Sequence, residues 1–136
     1  MRQRTLGKSG LEVSVVDLGC NNFGGDGIDL EASRKVVHKA LDLGITLFDT
    51  ADIYGERGGS EDYLGQILGD WRKDIVLVTK FGAPMDVADT LKGGSRRYML
   101  SAVEANQAAQ DRLDRPLPNP SPGSADADRG DAANLR

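Results

Sequence analysis

Apolar positions along the chain change period several times, and each change marks an element. Residues 13–19, Val-Ser-Val-Val-Asp-Leu-Gly, form a β-branched run closed by glycine and predict a buried strand. Ahead of it, residues 2–11 carry turn signals at Gly7 and Ser9-Gly10 between short segments able to pair as a hairpin. After a Gly/Asn-rich loop, Asp29 is placed to cap a helix, with Glu31 near the positive end of its dipole. Ala32, Val36, Val37, Ala40 and Leu41 then recur at helical spacing, and Gly44 supplies the stop. The pattern repeats. Residues 45–50 predict a short strand; Ser60 reads as the cap of a helix with an apolar stripe of Tyr63, Leu64, Ile67 and Leu68, ended by Gly69. Residues 74–80 are almost continuously apolar, as in strands buried on both faces. Ser95 opens a third helix with Met99, Ala102 and Val103 on its apolar face.

Strands alternating with helices at this rhythm imply βαβ units and a parallel sheet, an α/β fold. Composition then bounds how far it extends. All seven aromatic residues precede position 99, whereas residues 107–136 hold four of the five prolines and no aromatic, valine, isoleucine or lysine. Such a segment cannot close a core and predicts disorder. The expected organisation is an ordered unit over 1–105 and a disordered tail over 106–136.

Net charge is −4 with a pI near 4.9. No basic stripe offers a grip on nucleic acid or an anionic membrane, and no apolar run approaches the ~18 residues of a membrane span. A single cysteine and an N-terminus without an apolar leader point to the cytoplasm. No metal-ligand pattern stands out.

The three strands end at Gly19, Asp49 and Lys80, and Tyr54 follows Asp49 by five positions. In parallel α/β sheets and barrels the carboxyl ends of the strands form the functional face, so these groups converge. A tyrosine of ordinary pKa, about 10, is a poor proton donor at neutral pH. An adjacent ammonium favours the phenolate, and a carboxylate holds the ammonium charged and oriented, which makes a usable general acid. Taken singly, these residues read as a surface ion pair and a packed tyrosine. As an ordered set they read as descended from a catalytic set.

Two segments, Leu47-Phe48-Asp49-Thr50-Ala51-Asp52-Ile53-Tyr54-Gly55 and Val78-Thr79-Lys80-Phe81-Gly82, together resemble the paired signature of the aldo-keto reductases. The opening from Arg4 to Ser14 and the later Ser95-Arg96-Arg97-Tyr98 are also similar to bacterial members, and the likeness runs from residue 2 to about 105. The resemblance implies an incomplete (β/α)8 TIM barrel of about the first three βα units with an N-terminal hairpin. It implies an NAD(P)H-dependent oxidoreductase reducing aldehydes or ketones, with NADPH the expected cofactor and a small carbonyl compound the substrate. Tyr54 becomes the general acid, Lys80 the partner that lowers its pKa and Asp49 the orienting carboxylate; Gly19, Cys20 and Asn21 border the nicotinamide.

The family's catalytic histidine, in a segment resembling DLYxxHRPD, has no counterpart here, since the one histidine, His38, falls in the first helix. A complete barrel takes about 250 residues. The expectation is a truncated, inactive form prone to non-specific self-association through unpaired strand edges, with a non-catalytic α/β binding or assembly module as the alternative. A one-base shift offers a reason. At Asp111-Arg112, Asp114-Arg115, Asn119-Pro120 and Asp128-Arg129 it yields isoleucine or threonine codons, and the whole tail then permits IKRLKTDWIDLYQIHRPDPLTPIEETLR. That string resembles the missing fourth strand and its histidine, and it places a frameshift near Asn106.

Among the remaining residues, Cys20 reads as a small loop-lining side chain and Asp52, Glu56 and Arg57 as solvated loop charges. The stretch 22–27 lacks the spacing of a dinucleotide or Walker loop and reads as a flexible connection.

Overall fold

A computed structural model describes residues 1–86 and 92–111. Strands β1 (Gln3–Thr5) and β2 (Glu12–Ser14) form an antiparallel hairpin, with Arg4 opposite Val13, its second strand lying beyond the 2–11 expected. Three parallel strands follow in the order β3 (Asp17–Gly19), β4 (Leu47–Asp49) and β5 (Val76–Val78), linked by α1 (Leu30–Asp42) and α2 (Tyr54–Leu68); α3 (Arg96–Asp111) comes after β5.

The apolar run over 13–19 is not one strand. It breaks at Val15-Val16, giving Val13 and Ser14 to the hairpin and Asp17 to Gly19 to the parallel sheet. The break has a polar cause in buried Ser14, whose hydroxyl donates to Val16 O at 2.6 Å and accepts from Thr46 N at 2.9 Å. These bonds turn the chain and dock the hairpin on the start of β4.

Capping of α1 follows expectation: Asp29 accepts from Ala32 N at 2.7 Å, and Gly44, at φ +74°, closes the helix with a bond to Leu41 O. Its buried stripe is Ser33, Val37 and Ala40, and Val36, expected on that face, is exposed. Likewise Val103 of α3 is exposed and Tyr98 is the buried residue. The backbone of α3 runs to Asp111, past the boundary expected at 105; the tail beyond it lies outside the described residues.

Successive strand residues point to opposite faces of the sheet, and here the two faces differ. Leu18, Phe48 and Leu77 lie side by side in the register and turn toward the helices, where Phe48 packs with Val37, Leu64 and Leu68. Gly19, Asp49 and Val78 share the next row, on the other face. Residues 74–80 are therefore not buried on both sides, since Val78 is 38% exposed. Among the described residues no element covers that open face, and the outer edges of β3 and β5 carry no partner strand.

Candidate active site

The hydrogen-bond ladder continues past the strands proper. Cys20 N donates to Asp49 O at 2.9 Å, Thr50 N to Val78 O at 2.8 Å and Asp52 N to Lys80 O at 2.9 Å. Alternation is thus kept as far as Lys80, which joins Asp49 on the open face. Lys80 Nζ lies 2.6 Å from Asp49 Oδ1 and 5.1 Å from the centroid of the Tyr54 ring. The three residues that spacing had singled out meet at one spot.

Both charged partners are partly solvated, with 46% of the Lys80 side chain and 39% of the Asp49 side chain exposed. Desolvation works against the Lys80 ammonium, but the hydrogen bond and charge of Asp49, aided by Tyr54, outweigh it and hold Lys80 above the ordinary lysine value. A fixed positive charge therefore stands over the phenol throughout the neutral range.

Gly19 lies beside Asp49 in the register, and a Cβ built on it meets nothing within 4 Å, so the space above it is open. Asn21 is exposed nearby. Cys20 differs from its expected place as a loop-lining side chain beside a cofactor. It is fully buried in the helix-side core, and burial followed by the charge of Asp49 pushes its thiol up to about 12. His38 is exposed on α1 and, with Leu41, Asp42 and Trp71, lines a 270 Å³ groove at the other end of the sheet. Among the described residues no group of three or more His, Cys, Asp or Glu side chains is arranged to hold a metal ion.

Two features escaped the sequence reading. Part of the stretch 22–27 packs against the turn after Tyr54: Phe23 and Gly24 are buried, a Cβ on Gly25 would meet Glu56 Cγ at 2.8 Å, and one on Gly55 would meet Phe23 O at 2.5 Å. Glycines on both sides let the loop after β3 press against the turn that follows Tyr54. In that turn residues 55–58 all have positive φ, including Glu56 at +61° and Arg57 at +69°, so the regular part of α2 begins only afterwards. Ser60 is not its cap; buried, its hydroxyl donates to Cys20 O at 2.8 Å and lies 3.0 Å from Thr50 Oγ1.

The second feature is an acidic pair on the helix side, one carboxyl buried and the other half-buried. Asp52, expected in solvent, is 6% exposed and accepts a hydrogen bond from Tyr98. Glu61 accepts from Thr79 Oγ1 at 2.5 Å. Desolvation, reinforced by the charge of Asp52, raises the Glu61 pKa, and the Thr79 bond only partly offsets this. A carboxyl that binds its proton more tightly in the folded chain gives stability that is complete below its unfolded value, about 4.3, and is lost as pH rises through the folded one. Glu61→Gln keeps an acceptor and removes the charge. It is expected to flatten that fall and to melt above the parent at pH 7; an unchanged slope in melts taken from pH 4 upward contradicts it.

The chain's kinship is clear as well. Residues 16–112 fit the model of the aldo/keto reductase family. The chain belongs to this family. It is 39% identical over 110 residues to the L-glyceraldehyde 3-phosphate reductase of Escherichia coli K12, which covers 76% of this chain and 32% of that protein. It is 38% identical over 109 residues to a putative voltage-gated potassium channel subunit beta of Schizosaccharomyces pombe, covering 76% of this chain and 31% of that one. The chain thus spans about a third of the length of these curated relatives.

Among solved structures, the holo form of an aldo-keto reductase from Bacillus halodurans superposes with a TM-score of 0.71 at 33% identity, over 82% of this chain and 37% of its own. A putative aldo-keto reductase from Pseudomonas aeruginosa gives 0.70 at 33% identity, over 80% and 42%. The fold is a partial (β/α) barrel, and its open sheet face is the side that the rest of a closed barrel would cover. No helix among the described residues is long and apolar enough to cross a membrane.

Proposed function

We propose that this chain carries the N-terminal catalytic face of a carbonyl-reducing oxidoreductase, in which Tyr54 protonates the substrate oxygen, Lys80 supports it and Asp49 orients Lys80. The observation that carries the reading is Lys80 seated on Asp49 at 2.6 Å and over the Tyr54 ring at 5.1 Å. Reduced nicotinamide, NADPH in this reading, supplies the hydride when bound. The Tyr54 hydroxyl gives its proton to the carbonyl oxygen, so that the electron pair of the C=O bond never stands as a free alkoxide. Negative charge growing on the phenol oxygen is stabilised by the Lys80 ammonium, and Asp49 fixes that ammonium in place.

The open space over Gly19, beside Asp49 in the register, and exposed Asn21 two residues on fit the nicotinamide end of the cofactor. Cys20 can contribute only backbone there. Residues 1–136 by themselves are proposed to be inactive, because the single histidine lies on α1 and not at a strand end, and an out-of-frame stretch from near Asn106 is proposed as the reason. A cytoplasmic protein, a small aldehyde or ketone substrate and non-specific self-association through the edges of β3 and β5 complete the proposal.

A test without turnover is saturation-transfer NMR with NADPH in excess over the chain. Saturation is expected to reach the nicotinamide protons and not the adenine protons, and to diminish in Asn21→Ala. Transfer to adenine alone, or none at all, overturns the cofactor assignment and favours a non-catalytic module.

A further inference from the structure

Tyr54 stands at an awkward place in the backbone. Its own amide is bonded to Ala51 O at 3.0 Å, but the four residues after it are left-handed, so no regular helix steadies it from that side. What steadies it comes from before. Asp52, two residues upstream, makes two connections at once: its amide donates to Lys80 O at 2.9 Å, and its carboxylate receives the hydroxyl of Tyr98 from α3. Tyr98 is itself firmly seated. It is 4% exposed, its amide is capped by Ser95 Oγ at 3.2 Å, and its ring meets Phe81, the neighbour of Lys80, edge-on at 6.2 Å between centroids.

A buried carboxylate needs a donor, and losing one leaves an unmet desolvation cost. Asp52 also faces the charge of Glu61, which drives it outward whenever the Tyr98 hydroxyl is absent. Movement of Asp52 releases the backbone bond to Lys80 and shifts Tyr54 with it.

We propose that Tyr98 is a positioning residue, a latch from α3 that fixes Asp52 and through it the placement of Tyr54 against Lys80. The inference rests on the reading of Tyr54 and Lys80 as the proton-transfer pair, and Tyr98 itself touches neither substrate nor cofactor.

Competitive acetylation read by mass spectrometry, at low micromolar protein, follows the titration of Lys80. In the unaltered chain Lys80 titrates above the ordinary lysine value; titration at or below that value overturns the proton-transfer reading and the latch with it. Tyr98→Phe removes only the hydroxyl and leaves every charge in place. It is expected to make Lys80 about threefold more reactive, the equivalent of half a pKa unit. Val37→Ala loosens the core on α1 and leaves the Lys80 profile as it was. A Lys80 profile unmoved by Tyr98→Phe, or moved as far by Val37→Ala, overturns the latch alone. Should Tyr98→Phe unfold the chain, hydrogen exchange in the unaltered protein decides: segments 50–54 and 96–101 must open together, and independent opening overturns the proposal.

Discussion

Phe48→Ala is expected to leave the chain unfolded at room temperature. Phe48 is fully buried on the middle strand of three and lies level with Leu18 and Leu77, in contact with the core that α1 and α2 build. Truncating a buried phenylalanine costs about 3–5 kcal/mol, combining lost transfer energy with the cavity left behind. An ordinary domain has only about 5–15 kcal/mol in total. This one starts lower, because no element among the described residues covers the open face of its sheet. The same reasoning gives the control: Val78, on the open face, is 38% exposed, and Val78→Thr is expected to shift stability by no more than about 0.5 kcal/mol. Urea melts followed by far-UV circular dichroism separate the two. A cooperative transition in Phe48→Ala at nearly the parental midpoint would show that the core is not organised around β4.

Local signals with one physical cause were legible in the sequence. Asp29 and Gly44 act through backbone hydrogen bonds of their own helix, and Gly7 and Gly10 through turn geometry, so nothing distant had to be known. The convergence of Asp49, Tyr54 and Lys80 was legible for a different reason: parallel strands deliver their ends to one side, and alternation then fixes the face. Misreadings arose where a partner lay far along the chain. Ser60 looks like a cap until Thr50 and Cys20 are brought beside it. Asp52 looks solvated until Tyr98, 46 positions later, supplies the hydrogen bond that permits its burial. The parity of the strand held the clue, since Asp52 falls on the same side as Phe48 and Thr50, which face the helices. Val36 and Val103 were misplaced because helical spacing says which residues share a face, but not how wide the covered stripe is.

Reading the gene on in the shifted frame from near codon 106 is expected to yield an NADPH-dependent carbonyl reductase, if the function proposed above holds. The first 105 residues already bring Lys80 to Asp49 and over the Tyr54 ring, the proposed proton donor. The shifted tail, read as IKRLKTDWIDLYQIHRPDPLTPIEETLR, resembles the family's fourth strand with its histidine, which would pair beside β5, whose outer edge has no partner strand among the described residues. NADPH oxidation with a panel of aldehydes should then rise from background to steady turnover. Within that protein, Tyr54→Phe removes the proton donor and leaves the ring under Lys80, so substrate binding is little changed while kcat drops by about 10²–10⁴, the usual worth of a positioned general acid. Two outcomes count against the scheme. Resequencing that finds one uninterrupted frame with no shifted continuation removes the frame argument. Undiminished turnover in Tyr54→Phe removes the mechanism, because a phenyl ring has no proton to give.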